Sequence, residues 1–293
     1  MGGGLYSSSM RATRSLTKGY ATKSTREIFS ERSINNAMDP NGVGIRESRD
    51  SEEHPNSVPI VLALDVTGSM HHIPHQLVKD GLPAVMDAII SGGIPDPQVL
   101  FLGIGDHECD RAPLQVGQFE SSDELLDHWL TTIFLEGGGG GNRGESYMLA
   151  WHFAANNTAL DSLEKRNQKG FLFTIGDEPV LPELPKHAVA KIMGPGQHET
   201  LSSMELFSKA SEKYNVYHLH MKQGSNGQNQ DVMDGWKQML GDKLILVDDA
   251  KAVPQIIADI VNLVTEFVAE PAKPDAPVDA VVTETAEPIE EML

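Results

Sequence analysis

Cysteine is almost absent from this 293-residue sequence, which contains only Cys109. A single cysteine cannot form an internal disulfide, so the composition fits a reducing compartment. Long apolar runs are also missing, because no stretch approaches the roughly 18 consecutive apolar residues of a membrane helix. The first residues lack the charged and apolar pattern of a secretory signal. We therefore expect a cytoplasmic protein that does not insert into a membrane.

Positive charge is scarce as well. The chain has 23 Lys and Arg against 42 Asp and Glu, which gives a net charge of −19. Non-specific nucleic-acid binding depends on cations that neutralise phosphates, so this balance predicts no nucleic-acid partner. The charge is uneven, since residues 1–57 carry 8 basic and 7 acidic residues, whereas residues 269–293 carry 7 acidic residues and one lysine.

The composition divides the chain into three parts. Residues 1–57 begin with a basic, Ser-rich stretch whose apolar residues are too sparse for an amphipathic helix, so we expect an irregular arm. Residues 269–293 are rich in Pro, Ala and acidic side chains, which predicts a disordered tail. The part between them, residues 58–268, is long enough and apolar enough for one folded domain.

This central part alternates between short apolar runs and helical patterns. Strands are predicted near residues 58–65, 99–105, 170–175, 216–221 and 244–247, with a short extended stretch near 114–119. Helices are predicted near residues 73–89, 122–133, 146–157, 204–214, 231–240 and 253–268. Strands separated by helices imply parallel crossovers with helices on both faces. The predicted fold class is α/β, with a doubly wound, mainly parallel sheet and one short antiparallel edge strand.

Oxygen-bearing side chains follow several predicted strands. Asp65, Thr67 and Ser69 come at the end of the first strand, Asp106 follows the second, and Asp177 follows the strand near 170–175. In parallel α/β sheets, ligands bind beyond the carboxyl ends of the strands. Carboxylate and hydroxyl oxygens suit a hard cation such as Mg²⁺, Mn²⁺ or Ca²⁺. The spacing therefore predicts a divalent-cation site at this edge of the sheet.

A glycine run at residues 137–141 leads into Asn142, Glu145 and Ser146. The spacing is close to that of a phosphate-binding P-loop, but Glu145 stands where the P-loop needs Lys. A carboxylate there would repel phosphate, so the loop favours the cation site over a nucleotide site. For Asp106 three roles stay open: it could orient metal-bound water, cap a turn, or fix the glycine loop.

The segment Asp65-Val-Thr-Gly-Ser-Met70 behind an apolar strand resembles the metal-ion-dependent adhesion site of von Willebrand factor A (VWA) domains. The resemblance covers about residues 58–268. It includes the glycine-rich loop before a helix and Asp177 at the end of a later strand. In style it is similar to the VWA domains of alpha-kinase-type proteins and their bacterial and phage relatives. It implies the Rossmann-like VWA fold.

The resemblance also implies a set of metal ligands. Ser69 and Thr67 would bind the ion directly or through water, with Asp65 and Asp177 in support. The Thr that adhesion-type domains have after the glycines is missing, and Asn142, Glu145 or Ser146 would take its place. The full implied set is Asp65, Thr67, Ser69, Asn142, Glu145 and Asp177, with Asp106 behind them. The implied ion is Mg²⁺, with Mn²⁺ or Ca²⁺ as substitutes.

The expected function is metal-dependent recognition of another protein. With few carboxylates around it, the cation stays under-neutralised, so an acidic residue of a partner can complete its coordination. The resemblance suggests an adaptor for an intracellular complex, with a MoxR-type AAA+ ATPase as the partner. No kinase domain accompanies the VWA-like region, so kinase activity is not implied.

Two alternatives stay open. A metal-dependent hydrolase would draw on histidines beside the site, but the sequence has no His-Glu-x-x-His pattern. The histidines and acids in question are His71, His72, His75, His107, Glu108 and Asp110. Cys109 has acidic neighbours on both sides, which disfavours a thiolate nucleophile. The second alternative is a structural VWA-like protein without a working metal site.

Overall fold

The computed structural model describes residues 4–70, 72–77, 82–137, 142 and 144–269. Within these residues the strands are β1 (Arg46–Ser48), β2 (Val58–Asp65), β3 (Pro97–Ile104), β4 (Leu114–Val116), β5 (Thr158–Leu160), β6 (Gly170–Gly176), β7 (Glu183–Leu184), β8 (Leu201–Ser202), β9 (Tyr214–Met221) and β10 (Leu244–Val247). The α-helices are α1 (Ser8–Lys18), α2 (Thr25–Ile28), α3 (Ile73–Gln76), α4 (Leu82–Ser91), α5 (Asp123–Thr132), α6 (Met148–Asn156), α7 (Asp161–Arg166), α8 (Lys186–Met193), α9 (Ser203–Lys213), α10 (Gln230–Leu240) and α11 (Val253–Ala269).

The main sheet has the strand order β10-β9-β6-β2-β3-β4. β2 lies in the middle and pairs in parallel with β3 and β6, while β9 pairs in parallel with β6 and β10. Only the edge pair of β3 with β4 in this sheet is antiparallel. A mostly parallel sheet with one short antiparallel edge strand confirms the predicted α/β fold class. The carboxyl ends of β2, β6 and β9 therefore lie side by side.

The central strand β2 is buried on both faces because its side chains alternate between two apolar layers. Ile60, Leu62 and Leu64 point into the layer that packs against α4, α5 and α11. Val61 and Ala63 point into the layer that packs against α6, α8, α9 and α10. Because helices cover both faces of the sheet, the polar loops lie at its carboxyl edge.

The prediction of an irregular N-terminal arm is wrong for Ser8–Lys18, which form α1. The helix begins at the N-cap Ser7, and the left-handed Gly19 (φ 67°) ends it. Its docking is polar, since Arg11, 2% exposed, pairs with the fully buried Asp127 of α5. The prediction was wrong because it depended on an apolar stripe, whereas an ion pair holds this helix against the domain.

Shorter elements were not predicted. β1 pairs in parallel with β5 and ties the N-terminal part to the rest of the chain, and β7 pairs with β8 beside α8. The tail predicted to be disordered lies outside the described residues from position 270 onward, and the three-part division of the chain stays a prediction. None of the described helices has the length and apolar content that crossing a bilayer requires.

Candidate metal centre

The site begins where β2 ends. Asp65 is the last residue of the strand and is fully buried. Its Oδ1 accepts two hydrogen bonds from Thr67, one from the backbone N–H at 2.9 Å and one from the hydroxyl at 2.6 Å. A side chain that bonds to the backbone two residues on stabilises a tight turn. The turn brings the Thr67 hydroxyl to 3.2 Å from the hydroxyl of Ser69.

The second loop of the site comes from β6, which is the parallel neighbour of β2. Asp177 follows this strand and is fully buried. Its Oδ1 accepts a hydrogen bond from the Ser69 hydroxyl at 2.7 Å, across 108 positions of sequence. Asp65, Thr67, Ser69 and Asp177 thus form one connected group of oxygen-bearing side chains. The rule that strand-end loops meet at one edge of the sheet explains why residues so distant in sequence come together.

The carboxylates of this group are held close together in a dry environment. Burial raises the pKa of Asp65 to about 7, the hydrogen bonds from Thr67 oppose the shift, and the charge of Asp177 adds to it. A cation nearby stabilises the ionised form of a buried carboxyl group such as Asp65. All donors are oxygens, so the group fits a hard divalent ion better than Zn²⁺. No group of three or more His, Cys, Asp or Glu side chains suited to a metal is present in the described ranges.

Glu145 lies beside this group. Its backbone N–H donates to the Pro179 carbonyl at 2.9 Å, and its own carbonyl accepts from Leu181. The side chain is 6% exposed, and its Oε2 has no hydrogen-bond partner among the residues described. Burial raises the pKa of Glu145 to about 10, with the charge of Asp65 as the next cause. The carboxyl group of Glu145 therefore resists ionisation in this site. Its predicted role as a ligand stays a prediction.

The other two candidates from the glycine loop make different contacts. The amide of Asn142 donates to Glu108 Oε2 at 2.7 Å. The hydroxyl of Ser146 accepts from the backbone N–H of His107 at 2.9 Å and lies 2.8 Å from the ring Nδ1 of the same histidine. Both side chains thus connect the glycine loop to the loop after β3. Gly137 is described, whereas residues 138–141 and Arg143 lie outside the described residues.

Asp106 sits in a tight turn after β3. Its Oδ1 accepts from the backbone N–H of Glu108 at 2.8 Å, and its own N–H donates to Asp110 Oδ2 at 2.8 Å. Of the three roles left open by the sequence, the turn is the one with direct contacts here. Its Oδ2 is buried without a hydrogen-bond partner in the portion of the chain described.

Tyr147, which was not among the predicted site residues, contacts the site directly. Its hydroxyl donates to Asp65 Oδ2 at 2.8 Å and accepts from the backbone N–H of Glu178 at 3.3 Å. The ring packs edge-on against His218 and Trp236 in the apolar layer below the site. Tyr147 thereby fixes the oxygen of Asp65 that Thr67 leaves free. A tyrosine at the start of a helix does not by itself indicate a metal site, so its contact with Asp65 becomes apparent only in the fold.

A third loop, residues 222–229 after β9, was also missed. The backbone N–H of Asn226 donates to Asp177 Oδ2 at 2.8 Å, and its side-chain amide donates to Glu178. The backbone N–H of Ser225 donates to the carbonyl of Ser69 at 3.2 Å. The loop therefore braces both halves of the site. Its Gly- and Asn-rich sequence after a predicted strand was an available signal.

The histidines of the hydrolase alternative are not gathered around the site. His72 is exposed, His75 lies 3.2 Å from the Thr25 hydroxyl, and His107 contacts Ser146. His71 lies outside the described residues. His218 and His220 are fully buried beneath the site. This arrangement gives no support to a histidine-bound zinc.

No family model matches the chain, and no curated protein matches it. Among solved structures, it is similar to the pilus adhesin SpaC from Lactobacillus rhamnosus GG, with 11% identity, a TM-score of 0.47 and 75% of this chain covered. The chain spans only 31% of that adhesin. It is similar to the vWF domain of the type V pili tip protein Mfa5 from Porphyromonas gingivalis, with 9% identity, a TM-score of 0.47, and 75% of this chain and 99% of that domain covered. A third is an aerotolerance-related membrane protein from Bacteroides fragilis, with 15% identity, a TM-score of 0.43, and coverages of 70% and 99%.

Proposed function

We propose that this chain is a VWA-type protein-binding module that recognises its partner through a divalent cation. The observation that carries the proposal is the 2.7 Å contact between the Ser69 hydroxyl and Asp177. It unites the Asp-x-Thr-x-Ser loop with the acidic loop of a neighbouring strand. The proposal rests on this geometry and on the chemistry of the oxygen donors.

The residues of the site would have two different roles. The hydroxyls of Thr67 and Ser69 would hold the ion, and Asp65 and Asp177 would supply the negative charge around it. When bound, Mg²⁺ or a similar ion supplies a Lewis-acidic point that accepts an oxygen ligand from outside. Because Asp65 and Asp177 would support the ion and not bind it directly, its positive charge would stay under-neutralised. A carboxylate of the partner therefore gains a favourable place in the coordination sphere.

The class of partner follows from the family resemblance and is part of the proposal. An intracellular assembly, with a MoxR-type AAA+ ATPase as its motor, would use this chain as an adaptor. Binding would then depend on a surface acidic residue of that assembly. The metallohydrolase and structural interpretations have no contact in the site that favours them.

The test is calorimetric titration of Mg²⁺, Mn²⁺ and Ca²⁺ into EDTA-stripped full-length protein. We expect saturable binding that is lost in Ser69→Ala, because that change removes the hydroxyl between the two loops. Ser208→Ala is the matched control, since Ser208 is exposed on α9. Folded, stripped protein that takes up no ion would contradict the proposal, and so would a Ser69→Ala variant that binds like the parent.

A further inference from the structure

A groove of about 770 Å³ opens directly beside the proposed metal loop. One wall is the N-terminal segment from Thr25 to Arg32. The other wall is formed by Val66, Thr67 and Gly68 together with the segment from Phe134 to Gly137. Thr67 thus belongs both to the oxygen group of the site and to the lining of the groove. A molecule that reaches the site from this side must pass along the groove.

The floor of the groove is apolar. Phe29, Val66, Pro74 and Phe134 line it, and each of them is buried by the surrounding structure. The side-chain amide of Gln115 donates to the Phe134 carbonyl at 2.8 Å and accepts from the Phe134 backbone N–H at 2.8 Å, which fixes the backbone at this position. An apolar floor favours an apolar side chain of a bound segment, because burying it removes apolar surface from water.

The rim of the groove carries two exposed cations. Arg26 and Arg32 are exposed and line the groove, and neither makes an ion pair within the described part of the chain. Of the two acids of the lining, Glu136 pairs with Arg111 at 2.9 Å, whereas Glu31 accepts a hydrogen bond from the neutral amide of Asn35 at 3.0 Å and keeps its charge. In a protein of net charge −19, these two arginines, which form no ion pair among the described residues, place two positive charges beside the site that an acidic side chain can meet.

We infer that the groove binds an acidic segment of a separate partner protein. One carboxylate of the segment reaches the cation beside Thr67, an apolar side chain rests on the Phe29–Phe134 floor, and a second acid meets Arg26 and Arg32. The inference rests on the proposed function, because the first carboxylate needs the ion. It adds the chemistry of the partner: at least two acids with an apolar residue at a fixed spacing.

The path of the described chain favours a separate partner over the acidic tail of the same chain. Val264 and Thr265, near the end of α11, lie in one cavity with Val58 and Pro59, the first residues of β2. Thr67 lies beyond the other end of β2. The described chain therefore leads to the opposite edge of the sheet from the groove.

The experiment selects short displayed peptides, random except for one fixed Asp, on immobilised full-length protein in Mg²⁺ and elutes them with EDTA. We expect the eluted peptides to share a second acidic position and an apolar position at constant spacing. Arg26→Ala/Arg32→Ala should weaken their binding by roughly 3- to 10-fold, the range for two partly solvated ion pairs. Calorimetric uptake of Mg²⁺ by this variant should equal that of the parent.

Lys191→Ala/Lys209→Ala is the matched control, because it removes two exposed cations from helices on the other face of the sheet. It should leave peptide binding unchanged. EDTA-eluted peptides without a second acid, bound equally by the arginine variant, would overturn the inference and leave the proposed function intact. A library that yields no EDTA-eluted peptide would overturn both. A synthetic peptide of residues 270–293 that displaces the selected peptides, and depends on the same arginines, would make the chain its own ligand and overturn the separate partner.

Discussion

At the scale of single residues, the position of the Asp65 carboxylate depends on the side chains around it. Thr67 and Tyr147 between them satisfy both oxygens of Asp65. A carboxylate fixed in this way cannot rotate to make other contacts when the environment changes. The position of Asp65 is therefore set by its neighbours before any ligand arrives.

Tyr147→Phe tests this arrangement. The change removes the hydrogen bond to Asp65 and leaves the backbone N–H of Glu178 without its acceptor, so we expect a loss of about 2 kcal/mol in the free energy of unfolding. The affinity for Mg²⁺ should fall as well, because Asp65 is no longer held. Urea unfolding and calorimetry measure the two effects.

Tyr214→Phe is the control for this prediction. Its hydroxyl is also buried and donates to Thr158 at 2.8 Å, far from the site. It should lose a similar amount of stability while the affinity for Mg²⁺ stays that of the parent. Equal affinities in the two variants would show that Tyr147 does not position Asp65.

A half-buried histidine makes stability depend on pH. Burial lowers the pKa of His152 on α6 to about 4. In the unfolded chain the pKa is about 6.5, so between these values the unfolded chain holds a proton that the folded protein has lost. The contribution of His152 to stability is therefore present above pH about 6.5 and is lost as the pH falls toward 4.

His152→Gln isolates this contribution. The variant should lose less stability than the parent as the pH drops from about 7.5 to about 4, and the difference between the two profiles should grow below pH about 6.5. Urea unfolding at a series of pH values measures it. Parallel profiles would mean that the folded pKa is not lowered.

At the scale of elements, α1 shows how a helix with few apolar residues can still be part of the folded core. Arg11 meets Asp127, Lys18 approaches the other oxygen of Asp127 at 2.5 Å, and the Tyr20 hydroxyl donates to the same carboxylate. A buried carboxylate with three polar partners ties α1 to α5 at a defined register. Removing one partner leaves charge without compensation.

Arg11→Ala should therefore cost about 3 to 5 kcal/mol of the free energy of unfolding, the range for breaking a buried ion pair. Arg14→Ala is the matched control on the same helix, because its pair with Asp123 at 3.0 Å is partly exposed. That change should cost less than about 1 kcal/mol. Similar losses in the two variants would contradict a buried role for the Arg11–Asp127 pair.

The loop over Asp177 depends on a glycine. A Cβ on Gly224 would lie 2.4 Å from Asp177 Cγ, which no packing allows without movement of the loop. Gly224→Ala should push residues 222–229 away from the site and weaken cation binding. Gly235→Ala is the control, since a Cβ there meets nothing within 4 Å and α10 would gain roughly 0.5–1 kcal/mol. Calorimetry measures the cation affinity of each variant, and thermal melting measures its stability. A cation affinity of Gly224→Ala equal to that of the parent would show that the loop does not brace Asp177.

At the scale of the whole molecule, the strands of the main sheet could be predicted because each is a short apolar run that alternates with a helical pattern. The edge on which Asp65, Thr67, Ser69 and Asp177 meet followed from the same pattern. The helix α1 could not be predicted, because its burial depends on Asp127, more than a hundred residues away. Tyr147 and Asn226 could not be assigned roles for the same reason: their partners are fixed by the packed fold.

Short elements escaped prediction for a different reason. β1 and β5 have three residues each and β7 and β8 have two, so none is long enough to show an alternating pattern. Their pairing depends on how the longer strands and helices pack around them. In this chain, sequence patterns predict the layers, and the connections between layers are decided by contacts over long distances.

The contact between Ser69 and Asp177 spans 108 positions, and Asn226 lies a further 49 positions beyond Asp177. The site therefore exists only after β2, β6 and β9 have assembled into one sheet. A chain still forming that sheet offers an ion nothing to bind, so the ion favours the finished protein over its folding transition state. We therefore expect an ion bound at the proposed site to slow unfolding and to leave the folding rate almost unchanged, so that it would hold the completed domain in its folded state kinetically.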